Sequence, residues 1–312
     1  IQRRLTTENF GAVRGLLRAL KQARSIVAER QPSVVMCLGG YAAAGASLAA
    51  VAARVPVVVS EQNARASAVN RLISRFAARC ALPYPDTDLP KGILTGNPIR
   101  RSVVDAVHGA DQMSARDTLG LRRDRLVLAI WSGSLGARSV NEAVRDLAIH
   151  WKDRDDVSIY HVVGKRDWND FADHPPELVG TALSYITVEY EDRMPALLAA
   201  ADVAVCRAGA STTAEVAVAG LPAVFVPLPG APRDHQTANS RELVDAGGAI
   251  RVNDGDLDGI RLAREIDPLI ADSERRSAMA AAAASVGRPD AAVDVARLLL
   301  DVAGIQPRAL DA

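Results

Sequence analysis

The sequence predicts an α/β protein of two doubly wound, parallel-sheet domains facing a cleft. Three observations carry this. Short apolar runs of strand length alternate with longer helical segments along most of the chain. The alternation runs in two blocks separated by a charged stretch. Several strands lead into turns rich in glycine and hydroxyl residues, the kind found where a parallel sheet presents the carboxyl ends of its strands. The predicted boundaries are a first domain over 1–98, a linker over 99–124, a second domain over 125–288, and a C-terminal helix over 289–312 that packs back on the first domain.

The first block opens on residues 8–29, where Phe10, Val13, Leu17, Leu20 and Val27 recur near helical spacing. Arg14, Arg18, Lys21 and Arg24 crowd the rest of that helix, which suits either a solvated face or an anionic membrane surface. Strands follow at Ser33–Leu38, Pro56–Ser60, Arg79–Leu82 and Gly92–Thr95, with helices at Ala42–Ala53 and Ala66–Ala77. Residues 99–124 read as charged and irregular. The second block has strands at Leu126–Trp131, Val157–Val162, Ser184–Val188, Val203–Cys206, Ala223–Val226 and Ala249–Val252. From Ile260 on the chain reads as helical, with a Gly287-Arg288-Pro289 break before the last helix.

Composition narrows the function. The 312 residues are 49% hydrophobic and 24% charged, enough for two ordinary cores. Basic and acidic residues number 37 each, and aromatics are only 4%, so neither a global field nor stacking platforms point to nucleic acid. Cys37, Cys80 and Cys206 stand apart in or beside apolar runs, as buried free thiols do in a reducing compartment. The five histidines show no metal-ligand spacing, and His161 in its apolar strand reads as a core residue. No apolar run approaches the ~18 residues of a spanning helix. Ile1-Gln2-Arg3-Arg4 leads into polar residues rather than a signal-peptide core, and the Ile1 start predicts a processed chain or a fragment.

The chemistry concentrates in turns. Val203–Cys206 passes through Arg207-Ala208-Gly209-Ala210-Ser211-Thr212-Thr213 into a helix, bringing backbone N–H groups and the positive end of a helix dipole to one spot. Such a site suits a nucleotide diphosphate. Glu215, one turn further, could accept hydrogen bonds from ribose hydroxyls. An ordinary turn with a hydroxyl helix cap has the same pattern. Gly39-Gly40-Tyr41 and Ser132–Gly136 are further glycine turns after strands. Glu61-Gln62-Asn63 ends a strand and should point polar groups into the cleft, or else form a plain turn. Gln236 and Asn239 share a helix face that suits sugar hydroxyls, with capping by Asp234 as the alternative. Neither the dinucleotide fingerprint, nor a P-loop, nor a serine-nucleophile elbow is present.

Together, VVMCLGGYAAAGASLAA (34–50), SEQNARASAVNRLISRFA (60–77), GNPIR (96–100), SGSLGARSVNEAV (132–144) and CRAGASTTAEVAVAGLPAVFVPLPGAPRDHQTANS (206–240) resemble the MurG family of peptidoglycan glycosyltransferases. The resemblance spans nearly the whole chain in the family's order. It implies a GT-B fold and transfer of N-acetylglucosamine from UDP-N-acetylglucosamine to the 4-hydroxyl of undecaprenyl-diphosphate-linked muramyl-pentapeptide, with inversion. No metal-binding carboxylate cluster of the DxD kind stands in a glycine turn, so no essential divalent ion is expected, and no cofactor. The resemblance places the protein peripherally on the cytoplasmic face of the cell membrane, against anionic lipid and alongside cell-wall and division proteins. Carried over by motif, Glu215 binds ribose, and Ala210, Ser211 and Thr212 line the nucleotide and diphosphate pocket. Ser134 contacts phosphate, and Tyr190 lies near uracil through its backbone. His235 and Gln236 address the sugar, and Asn63 and Arg100 are further donor-site positions. Gly39, Gly40 and Tyr41 belong to the acceptor side. The family pattern begins with a strand and a GGTGGH-like loop, whose histidine is the usual candidate general base. This sequence lacks that loop, so the catalytic base is unknown and donor binding is expected more firmly than turnover. The first sheet should then carry unpaired strand edges. A non-catalytic UDP-sugar-binding or scaffold protein, or a GT-B transferase for another UDP-sugar, are the competing readings.

Overall fold

The structure is a computed structural model that describes residues 7–109 and 111–306, with side chains from Arg18 onward. The side chains of Phe10, Val13, Arg14 and Leu17 lie outside the described residues. The chain divides into two compact units: Ile1–Asn97 with Asp290–Ala312, and Pro98–Pro289.

The first unit contains α1 (Thr7–Arg30), β1 (Val35–Cys37), α2 (Gly40–Ala52), β2 (Val57–Ser60), α3 (Ala68–Ile73), β3 (Arg79–Leu82) and β4 (Gly92–Leu94). The four strands form a parallel sheet in the order β1-β2-β3-β4. Among the described residues β1 is an outer strand. Alternate side chains go to opposite faces of the sheet. Cys37, Val57, Val59, Cys80 and Leu82 meet Ala50, Ile73 and Ala77 on one face. Val58 and Ala81 meet Val295 and Leu298 of the C-terminal helix on the other. The alanine-rich sequence of α2 favours helix and lets α1 lie close against it.

The second unit contains α4 (Arg101–Gly109), α5 (Gln112–Leu119), β5 (Leu126–Trp131), α6 (Arg138–His150), β6 (Val157–Val162), α7 (Trp168–Asp173), β7 (Ser184–Val188) and α8 (Met194–Ala200). It continues through β8 (Val203–Cys206), α9 (Ala210–Ala219), β9 (Ala223–Phe225), α10 (His235–Asn239), α11 (Arg241–Asp245), β10 (Ala249–Arg251), α12 (Gly259–Ala271) and α13 (Ser273–Ser285). The C-terminal α14 (Ala291–Val302) belongs to the first unit. All six strands are parallel, in the order β10-β9-β8-β5-β6-β7. The chain winds outward from β5 through β6 to β7, then returns beside β5 as β8 and winds the other way. The gap between the ends of β5 and β8 is therefore the topological switch point, where such sheets bind ligands.

Residues 101–109 and 112–119 are not the irregular linker the charge pattern suggests. They form α4 and α5 inside the second unit, with Val103, Ala115 and Leu119 in its core. Asp111 caps α5 by accepting from the amides of Met113 and Ser114, and Gly120 ends it with φ 70°. Arg116 is buried: its Nη2 donates to Asp202 at 2.6 Å and its Nε to the Ala200 carbonyl at 3.2 Å. A cation that serves the core this way looks the same in sequence as a solvated one. His161 is fully buried between the Tyr185 hydroxyl at 2.8 Å and Asn141 Oδ1 at 3.0 Å.

Candidate functional site

A cavity of about 380 Å³ opens at the switch point of the second unit. One side is formed by Gly133 and Ser134 after β5, another by Ser211, Thr212 and Glu215 of α9. Arg100 joins them from the segment before α4. Pro98, Ile99, Trp131, Val162 and Met194 give a largely apolar end, edged by Tyr190 and Glu191. The cavity thus has a polar, dipole-fed side and an apolar slot, the division a nucleotide requires.

The polar side follows from local sequence. Gly209 is the N-cap of α9 and makes no side-chain cap bond. Thr213 instead turns its hydroxyl back to the carbonyls of Gly209 and Ala210, at 3.2 and 3.1 Å. The first amides of α9, beginning at Ala210, are therefore not closed by a hydroxyl cap, and an anion can take that place. Across the gap, the Ser132–Gly136 turn is locked onto the turn after β6. A Cβ on Gly136 would stand 2.1 Å from the Val163 carbonyl oxygen, and one on Gly164 would stand 2.2 Å from the Gly136 nitrogen. Only glycine allows these backbones to meet. The Lys165 amide then donates to the Ser134 carbonyl at 3.1 Å.

Glu215 is 9% exposed, and Arg100 Nη2 lies 3.6 Å from its Oε1. Burial pushes its carboxyl above the ordinary range, while the Arg100 guanidinium pulls it back in part. A carboxylate at that depth has acceptor capacity suited to a pair of vicinal hydroxyls.

Of the residues singled out in the sequence, Arg100, Ser134, Tyr190, Ser211, Thr212 and Glu215 come together here, with Ala210 at the start of the same helix. His235 and Gln236 do not line the cavity. They open α10, where His235 Nδ1 lies 2.9 Å from the Pro232 carbonyl and Gln236 Oε1 accepts from the Leu228 amide at 2.9 Å. Asn239 is not a sugar-facing partner of Gln236: it is fully buried and donates to the Ala208 carbonyl at 3.2 Å. Asn63 and Gly39-Gly40-Tyr41 belong to the first unit. There Glu61 turns inward rather than toward solvent. Its Oε1 accepts from the amides of Gln62 and Asn63, and its Oε2 from the Ser67 amide and Asn70 Nδ2. Gly39 and Gly40 have φ of 84° and 75°, and Tyr41 is 85% exposed. Sequence reading missed Trp131, Met194 and Glu191. Glu191 sits in an acidic run that resembles a solvated loop, yet it is 5% exposed. No group of three or more His, Cys, Asp or Glu able to hold a metal ion occurs among the described residues.

Two parallel-sheet α/β units, the second with a nucleotide-sized cavity at its switch point, define the GT-B class of fold. The description "Glycosyltransferase family 28 N-terminal domain" matches residues 1–82, and "Glycosyltransferase family 28 C-terminal domain" matches residues 127–295. The chain is 40% identical over 294 residues to the UDP-N-acetylglucosamine–N-acetylmuramyl-(pentapeptide) pyrophosphoryl-undecaprenol N-acetylglucosamine transferase of Mycolicibacterium smegmatis, covering 91% of this chain and 74% of that one. It is 41% identical over 287 residues to the same-named protein of Nocardioides sp., covering 92% and 77%. The crystal structure of Acinetobacter baumannii MurG superposes with a TM-score of 0.75 at 28% identity, covering 92% of this chain and 78% of that one. The chain belongs to glycosyltransferase family 28, and within it to the MurG family.

Proposed function

We propose that the chain transfers N-acetylglucosamine from UDP-N-acetylglucosamine to the 4-hydroxyl of an undecaprenyl-diphosphate-linked muramyl-pentapeptide, inverting the anomeric carbon. The observation that carries this for a MurG-family chain is the pairing, on α9, of an open helix start with a buried Glu215 one turn further on, both opposite the Ser134 turn at the switch point. In this reading Glu215 accepts from the ribose hydroxyls, and Ser211, Thr212 and the α9 amides hold the diphosphate. The Ser134 turn and Arg100 face the same charge. As the acceptor hydroxyl attacks, negative charge grows on the departing UDP, and these fixed dipoles are already aimed at it. His235 and Gln236 address the sugar, Asn63 adds a donor contact, and Gly39, Gly40 and Tyr41 serve the lipid-linked acceptor.

The first unit supports a peripheral place on the cytoplasmic face of the membrane. Leu72 and Phe76 are exposed, four residues apart, with exposed Arg71, Arg75 and Arg79 interleaved. Arg18, Lys21 and Arg24 are exposed on α1. Apolar anchors among basic side chains fit an anionic lipid surface. No helix among the described residues is long and apolar enough to cross a membrane.

The test is a calorimetric titration of UDP-N-acetylglucosamine and of UDP-glucose into the folded chain, followed by a transfer assay with the lipid-linked acceptor. Saturable binding that UDP displaces, with UDP-N-acetylglucosamine preferred, is expected. No binding by a well-folded chain, or equal binding of both sugars, overturns the donor assignment.

A further inference from the structure

The apolar end of the cavity is edged by a turn whose Tyr190, Glu191 and Arg193 side chains are engaged elsewhere. Glu191 lines the cavity, but its side chain is only 3% exposed and both carboxylate oxygens are taken. Oε1 accepts from the Arg193 amide at 2.7 Å and from Arg193 Nε at 3.0 Å. Oε2 accepts from the Tyr160 hydroxyl and from Arg193 Nη2, the latter at 3.2 Å. Arg193 Nη1 reaches on to the Thr118 carbonyl at 2.7 Å. The turn is thus tied to β6 through Tyr160 and to the end of α5 through Thr118. Beside it, Lys165 Nζ stands 4.7 Å over the Tyr190 ring, so that ring is held as well.

The main chain is different. The β7 ladder ends at Val188, the Glu189 carbonyl accepts from the Gly164 amide, and α8 begins at Met194. Among the described residues, no hydrogen bond engages the N–H or C=O of Tyr190 or Glu191. A donor and an acceptor therefore stand open at the edge of an apolar slot, on a backbone that four charge-assisted bonds hold still.

We infer that Tyr160, Glu191 and Arg193 are positioning residues that set which base the cavity accepts, by fixing the Tyr190–Glu191 main chain as the edge that reads it. This rests on the nucleotide reading of the cavity above. A uracil edge offers a ring N–H flanked by carbonyls, whereas a cytosine edge offers an unprotonated ring nitrogen beside an amino group. A main-chain donor and acceptor separate the two only if they cannot rotate to suit either. A free Glu191 side chain would itself accept from an amino group and favour cytosine. Its complete engagement by Tyr160 and Arg193 removes that competitor and stiffens the reader at once.

The test compares UDP with CDP by competition titration in the full chain, in Tyr160→Phe and in Arg193→Gln, with circular dichroism as the check on folding. The unaltered chain should prefer UDP. Tyr160→Phe removes one charge-assisted bond, worth roughly a tenfold change in an equilibrium. It should narrow the UDP-over-CDP preference by about that factor, chiefly by tightening CDP relative to UDP. Arg193→Gln should narrow it further, and Arg193→Lys should recover part of it. If Tyr160→Phe does not fold, the half-exposed Arg193 carries the comparison. Equal weakening of both nucleotides, or an unchanged ratio in folded variants, overturns the positioning role. Failure of the unaltered chain to bind UDP overturns the nucleotide reading itself, a separate and recognisable result.

Discussion

Glu215 and His161 show how burial gives two titratable side chains opposite tasks. Burial raises the Glu215 carboxyl and Arg100 opposes the rise. The proposed ribose contact needs the ionised acid, so affinity for UDP should fall on acidification, starting above the ordinary glutamate range. A titration series from pH 7.5 downward should show this loss in the unaltered chain, and Glu215→Gln should bind weakly at every pH without the slope. His161 is pushed down to about 3 by burial alone. The unfolded chain takes up its proton near pH 6.5, whereas the native chain holds the ring neutral until far lower. Stability contributed by His161 is therefore complete above pH 6.5 and drains as pH falls, by up to about 1.4 kcal/mol per pH unit. Denaturant midpoints of His161→Gln should fall less steeply than those of the parent between pH 6.5 and 4, whatever the substitution costs at neutral pH.

At the level of elements, the site is made by two strand-to-helix passages and the contact that registers them. The α9 passage leaves its first amides without a hydroxyl cap, while the β5 passage is pinned by the Gly136–Gly164 contact. Gly164→Ala must push two backbones apart and also strains a φ of 94°. A loss of roughly 2–3 kcal/mol in chemical denaturation is expected. UDP affinity should weaken with it, because the Ser134 turn moves. Gly133→Ala is the comparison: its Cβ meets nothing within 4 Å, so only the positive φ of 83° is strained. A cost nearer 1–2 kcal/mol follows for it. Equal costs for the two variants would show that the apposed backbones do not matter. α4 and α5 make a related point. Their helical character was hidden by charge, because Arg116 and Asp202 are spent as a buried pair and not on solvent.

For the whole molecule, each unit carries its own core, and the candidate donor cavity lies wholly within Pro98–Pro289. A fragment of residues 98–289 should therefore fold alone and bind UDP within about tenfold of the full chain. A circular dichroism melt and a titration decide it; a fragment that folds cooperatively yet binds nothing contradicts the placement of the site. The first unit is expected to carry lipid affinity. Phe76→Asp and Leu72→Asp should each reduce sedimentation with anionic vesicles, and added salt should reduce it for the parent as well. Binding that ignores both the substitutions and the salt would rule out this face.

Periodicity alone determined the two alternating blocks and nearly every strand, because a buried parallel strand must be a short apolar run and a helix start must show its turn chemistry. The quoted motifs likewise determined the family, and the turn after Cys206 singled out the helix start that the cavity exposes. Tertiary structure alone decided which polar residues line the cavity. Glu61 and Asn239 are as polar as Glu215, yet they close backbone hydrogen bonds inside the protein. Glu191 looked like surface and became the fixed wall of the cavity. The reason is that a hydrogen-bonding group carries the same pattern in sequence whether its partner is its own chain or a substrate. Only the packed fold shows which partners are already taken.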